Sequence, residues 1–125
     1  MVGAKDIASS SSPTKVFNIY NTDVPGFDET KGIQKARLVS DEFSLQTIVV
    51  NQGGRVVVHF YNIETPRGDK HSFTIDAPYN VDIDVAPGQN GTATFVADHP
   101  DVFQFACKYH APSMVGQLII LPQED

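Results

Sequence analysis

The segment Val102–Cys107, VFQFAC, is apolar at alternate positions, and the same period of two returns in HSFTID (His71–Asp76) and NVDIDV (Asn80–Val85). That period sends successive side chains to opposite faces of an extended chain, whereas a helix needs a period of 3.6 to build one apolar face. The runs KVFNIYN (Lys15–Asn21), TATFVA (Thr92–Ala97) and GQLIILP (Gly116–Pro122) add the β-branched and aromatic residues that suit strands. TIVVNQGGRVVVHFYN (Thr47–Asn62) is broken by a Gly53-Gly54 turn, and APGQNG (Ala86–Gly91) and DHPD (Asp98–Asp101) punctuate the later runs. Short strands with turns about every 8–12 residues predict an all-β sandwich or barrel. Asp23–Ser44 is less regular and reads as a loop plus one extra strand or hairpin.

The 125 residues suffice for one domain with a real core. Residues 1–14 read as a flexible leader or linker, with Ser9–Ser12 running into Pro13, and 15–125 as the folded domain. The leader lacks the apolar stretch of a signal peptide. A trimmed export signal and a linker from a missing N-terminal anchor both fit it. No apolar run approaches the ~18 residues of a membrane span. The net charge of −6 disfavours a nucleic-acid or anionic-membrane surface and suits a basic protein partner instead.

The single cysteine excludes an internal disulfide and directs attention to FQFACKYHAPSMVG (Phe103–Gly116). Alternation places Cys107 in phase with Phe103 and Phe105, so it ends a strand pointing inward. His110 and Met114 follow in a loop stiffened by Pro112. The pattern C-x2-H-x3-M returns a thiolate, an imidazole and a thioether to one point, a donor set that suits Cu(I) and Cu(II) better than hard cations. A further imidazole completes a trigonal set with a weak axial thioether, and His71, opening the HSFTID strand, is the best candidate. His59, mid-strand, and His99, in the DHPD turn, read as ordinary sheet and loop residues. Zinc is the rival ion, but a thioether is a poor fourth donor for it. A Cys–His nucleophile pair is the catalytic rival, and no recognisable hydrolase motif surrounds Cys107.

With these residues in place, Lys15–Pro122 resembles the cupredoxins. His71 followed by the small polar Ser72, and the Cys107…His110…Met114-x-Gly116 loop, match the family's ligand pattern. The resemblance implies a Greek-key β-sandwich with an extended N-terminal segment and one type 1 copper ion held by His71, Cys107, His110 and Met114. It implies that Ser72 ties the His71 strand to the Cys107 loop, and that each ligand histidine rests its other ring nitrogen on a backbone carbonyl or water. Phe73, Phe103 and Phe105 are expected to keep water from the metal. His110, ringed by Ala111, Pro112 and Val115, is the expected exit for an electron. The dinuclear copper-A variant is excluded, because it needs two cysteines.

A narrower similarity, through NIYNTDVPGF and TIVVNQGGRVVVHFYN, is to the nitrosocyanin-like cupredoxins. Where those carry a ligand glutamate this chain has His71, and where they carry a second loop histidine it offers Met114 or Val115. Two functions follow as expectations. One is one-electron transfer with a transient redox partner such as a cytochrome, another cupredoxin or an oxidase. The other is a redox enzyme with an accessible copper that interconverts nitric oxide and nitrite. The resemblance also implies work outside the cytoplasm, on the periplasmic or cell-surface side, and leaves homo-oligomerisation through the N-terminal extension open.

Overall fold

A computed structural model describes residues 13–23, 41–110 and 114–123. Nine strands run through them: β1 (Thr14–Asp23), β2 (Asp41–Phe43), β3 (Thr47–Asn51), β4 (Arg55–Tyr61), β5 (His71–Ile75), β6 (Val81–Val85), β7 (Asn90–Val96), β8 (Asp101–Ala106) and β9 (Val115–Leu121). The described residues contain no helix, as the period-two pattern requires. A four-stranded sheet in the order β2-β1-β4-β7 packs on a five-stranded sheet in the order β3-β9-β8-β5-β6. Both sheets are mixed, because β1 runs parallel to β4 and β3 runs parallel to β9.

The alternation maps directly onto burial. In β6, Val81, Ile83 and Val85 face inward while Asp82 and Asp84 face solvent. Between the sheets, Phe43, Phe60, Phe73 and Phe105 are almost fully buried. Phe73 and Phe105 stack at 4.7 Å, and Phe43 meets Phe105 edge-on at 5.1 Å. Such aromatic pairs add about 0.5–1.5 kcal/mol beyond the area they bury.

The Gly53-Gly54 turn is present, with Gly53 at φ 90°, but it does not close a hairpin. It carries the chain from β3 in one sheet to β4 in the other. Of the irregular Asp23–Ser44 segment, Asp41–Phe43 forms the extra strand β2, paired antiparallel with β1; residues 24–40 lie outside the described residues. The expected role of Phe103 does not hold: it is half-buried and packs edge-on against Tyr79 at 5.2 Å, leaving Phe73 and Phe105 as the fully buried rings nearest the cysteine in sequence register.

The topology itself brings the two halves of the predicted site together. β5 and β8 are antiparallel neighbours, with Thr74 opposite Ala106 and Ile75 opposite Phe105. Continued past the end of β8, that register sets the beginning of β5 beside Cys107 and Lys108. His71 is therefore distant from Cys107 in sequence and adjacent to it across the sheet.

Candidate metal centre

Cys107 leaves β8 as the first residue of a tight loop. The His110 N–H donates to the Cys107 carbonyl at 3.1 Å, the Met114 N–H to the His110 carbonyl at 3.1 Å, and the Cys107 N–H to the Met114 carbonyl at 3.0 Å. These bonds fold the loop back on itself and fix His110 relative to the sulfur. His71, on β5, is fully buried.

His71, Cys107 and His110 each direct one donor atom to a common place, all within 4.8 Å of one another. The Cys107 Sγ lies 3.3 Å from His110 Nδ1 and 3.8 Å from His71 Nδ1. Two N or S donors each about 2.0–2.3 Å from one ion stand about 3.3–3.8 Å apart, so the spacing fits a shared metal. The rings of His71 and His110 stack at 4.9 Å. Met114 is fully buried in the same loop, on the inner side of the chain. Ala111 and Pro112 lie outside the described residues, and Val115 is half-buried at the start of β9.

Ser72 occupies the tying position expected of it. Its N–H donates to Cys107 Sγ at 3.3 Å, and its hydroxyl accepts the Lys108 N–H at 2.9 Å. Burial alone would favour the neutral thiol, but hydrogen bonds from both histidines and from the Ser72 and Tyr109 amides lower the Cys107 pKa to about 6. Burial likewise opposes charge on His71, yet its bonds to Cys107 and Glu64 and the negative field of Asp41 raise its pKa to about 9. Both shifts favour a thiolate facing an imidazolium when no metal is bound.

The outer ring nitrogens depart from expectation. Instead of a backbone carbonyl or water, His71 Nε2 meets the carboxylate of Glu64. His110 Nε2 has Asp41 and Asp69 carboxylates at 3.7 and 3.8 Å. These acids come from the β4–β5 loop and from the start of β2, segments whose irregular sequence gave no period to follow. The remaining histidines behave as ordinary residues: His59 Nδ1 bonds Thr92 Oγ1 at 2.8 Å on the sheet face, and His99 sits exposed beside Asp98.

A family model for the cupredoxin-like domain matches residues 13–120. The chain belongs to the cupredoxin-like family. Among curated proteins, nitrous-oxide reductase of Stutzerimonas stutzeri is 32% identical over 84 residues, a match covering 64% of this cupredoxin and 13% of the reductase. The cupredoxin thus corresponds to a small part of that relative's length. Among solved structures, the copper nitrite reductase from Nitrosomonas europaea superposes with a TM-score of 0.63 at 21% identity, over 89% of this chain and 42% of the reductase. Auracyanin A, a blue copper protein from Chloroflexus aurantiacus, superposes with a TM-score of 0.60 at 14% identity, over 86% of this chain and 98% of auracyanin. At these identities the superpositions establish the fold, and His71 on β5 with Cys107 and His110 in the β8–β9 loop form a group that could hold a metal ion.

Proposed function

We propose that this cupredoxin is a mononuclear type 1 copper protein that carries single electrons. His71 Nδ1, His110 Nδ1 and Cys107 Sγ would hold the ion, with the Met114 thioether as a weaker fourth donor. Bound there, copper supplies one-electron chemistry by alternating between Cu(I) and Cu(II). The thiolate and imidazoles suit both states, which limits rearrangement on electron gain or loss.

The observation that carries this reading is the unequal exposure of the donors. His71, Cys107 and Met114 are fully buried, and the His110 side chain alone of the four retains access to the surface, at 16%. A buried ion with one imidazole at the rim suits electron passage through that ring and disfavours a small ligand reaching the metal. Glu64 and Asp69 near the outer ring edges further oppose an anion such as nitrite. A surface cavity of about 580 Å³ exists, but Pro13, Lys15, Arg55 and Leu121 line it, with none of the four donors.

The redox partner is then a protein, a cytochrome, another cupredoxin or an oxidase, docking transiently over His110 and Val115. Weak docking suits repeated turnover. Work on the periplasmic or cell-surface side follows family habit. No helix among the described residues is long and apolar enough to cross a membrane.

The deciding experiment loads Cu(II), records visible and electron-paramagnetic-resonance spectra, and adds nitric oxide without oxygen. An intense thiolate-to-copper band that is lost in Cys107→Ser, is indifferent to nitric oxide, and reports rapid exchange with a cytochrome is the expected result. Bleaching with stoichiometric nitrite would instead support the nitrosocyanin-like enzyme.

A further inference from the structure

We infer that Glu64 is a positioning residue of the copper centre, holding the His71 ring from its outer nitrogen and biasing the site toward Cu(II) by its negative charge. The inference rests on the copper reading above and goes beyond it, because it assigns the site's electronic preference to a residue outside the donor set.

The loop that presents Glu64 is constructed around one buried side chain. Asn62 is 2% exposed. Its Nδ2 donates to the Asp69 carbonyl at 2.9 Å and the Val85 carbonyl at 3.1 Å, and its Oδ1 accepts the Glu64 N–H at 3.1 Å. Its main chain is also committed, donating to the Gln89 carbonyl at 2.9 Å and accepting the Gly88 N–H at 2.8 Å. Both ends of the loop are therefore fastened to one residue, and the root of Glu64 is fixed.

The carboxylate is fixed as well. Glu64 Oε1 accepts the Asp69 N–H at 3.2 Å, while Oε2 meets His71 Nε2. Gly68 leaves the room this needs: a Cβ there would fall 2.9 Å from the Glu64 carboxyl carbon, inside contact distance. Gly68 does not have a left-handed φ, so space rather than backbone freedom requires the glycine.

Two consequences follow from the chemistry. A carboxylate on Nε2 orients the ring and keeps the proton on that nitrogen, leaving the Nδ1 lone pair for the metal. A carboxylate also differs from a carbonyl by a full negative charge. Placed one imidazole away from an ion in a buried pocket, that charge stabilises the more positive oxidation state. A neutral carbonyl at the same place would orient the ring without that bias.

The test compares copper-loaded wild type with Glu64→Gln, which keeps an acceptor for His71 but removes the charge, and with Gly68→Ala, which keeps the charge but displaces the carboxylate. Redox titration gives the potential, and chelator competition gives the separate Cu(I) and Cu(II) affinities. Glu64→Gln is expected to retain the thiolate-to-copper band and shift the Cu(I)-to-Cu(II) affinity ratio about tenfold toward Cu(I), equivalent to about +59 mV for one electron. Gly68→Ala is expected to shift in the same direction. A normal band with both variants at the wild-type potential overturns the inference and leaves the copper reading standing. A wild-type protein that forms no such band overturns both.

Discussion

The Ser72 amide points at the Cys107 sulfur from 3.3 Å, joining residues 35 positions apart in the chain. The Ser72 hydroxyl extends the same tie by accepting the Lys108 amide at 2.9 Å, and it also bonds the Thr74 hydroxyl at 2.9 Å. Ser72→Ala keeps the amide-to-sulfur bond but strands the Lys108 N–H. The expected result is a loss of about 1–2 kcal/mol in urea unfolding, with the thiolate-to-copper band retained. A variant as stable as wild type would show that the hydroxyl does not fasten the loop.

Gly116 owes its place to the ring of Phe105. The two are register partners on β8 and β9, and a Cβ at 116 would overlap that ring and stand 2.7 Å from the Gln46 carbonyl. Overpacking of this kind costs about 1–3 kcal/mol, so Gly116→Ala is expected to lower the urea midpoint with little change in m-value. Because Phe105 leads directly to Cys107, the copper spectrum should also broaden. An unaltered midpoint would mean that the strands separate here at no cost.

Met114→Leu probes the axial position. The two side chains have similar volume, so the buried site should stay filled. Copper and the thiolate band are expected to persist while the potential rises, because a donor that favours the more charged state has gone. Loss of the metal itself would make Met114 an essential ligand rather than a weak axial one.

The strands and the three converging donors were legible in the sequence for one reason: each lies in or beside a segment of strict alternation. Alternation fixed the inward face of Phe105 and Cys107, and strand-end position singled out His71 from His59 and His99. The partner sheet of each strand was not legible, because VNQGGRV looks the same whether its turn closes a hairpin or, as here, crosses from β3 to β4. The carboxylates were invisible for a related reason. Glu64 and Asp69 sit in the β4–β5 loop, where no period relates a residue to its target, and their aim at His71 and His110 depends on Asn62 closing that loop. A polar loop around one buried asparagine is the signal to look for in related chains.

In the metal-free protein the opposed titrations of His71 and Cys107 should leave stability nearly level between pH 6.5 and 9. His71 has a folded pKa raised to about 9 from 6.5, so its stabilising contribution is complete below pH 6.5 and is lost as pH rises through 9. Cys107 has a folded pKa lowered to about 6 from 9.0, so its contribution is complete above pH 9 and is lost as pH falls through 6. The two shifts describe one thiolate–imidazolium pair, and between pH 6.5 and 9 the gain from one partner replaces the decline of the other. Thermal unfolding of the apoprotein at closely spaced pH values is expected to show a Tm that this pair leaves nearly level across that window. Cys107→Ser leaves no thiolate to ionise, so the gain that the sulfur supplies with rising pH should be absent and the variant's Tm should fall behind wild type as pH rises from 6.5 to 9. A wild-type Tm that climbs steadily from pH 6 to 9 would mean that the sulfur and the ring do not exchange charge in the folded apoprotein.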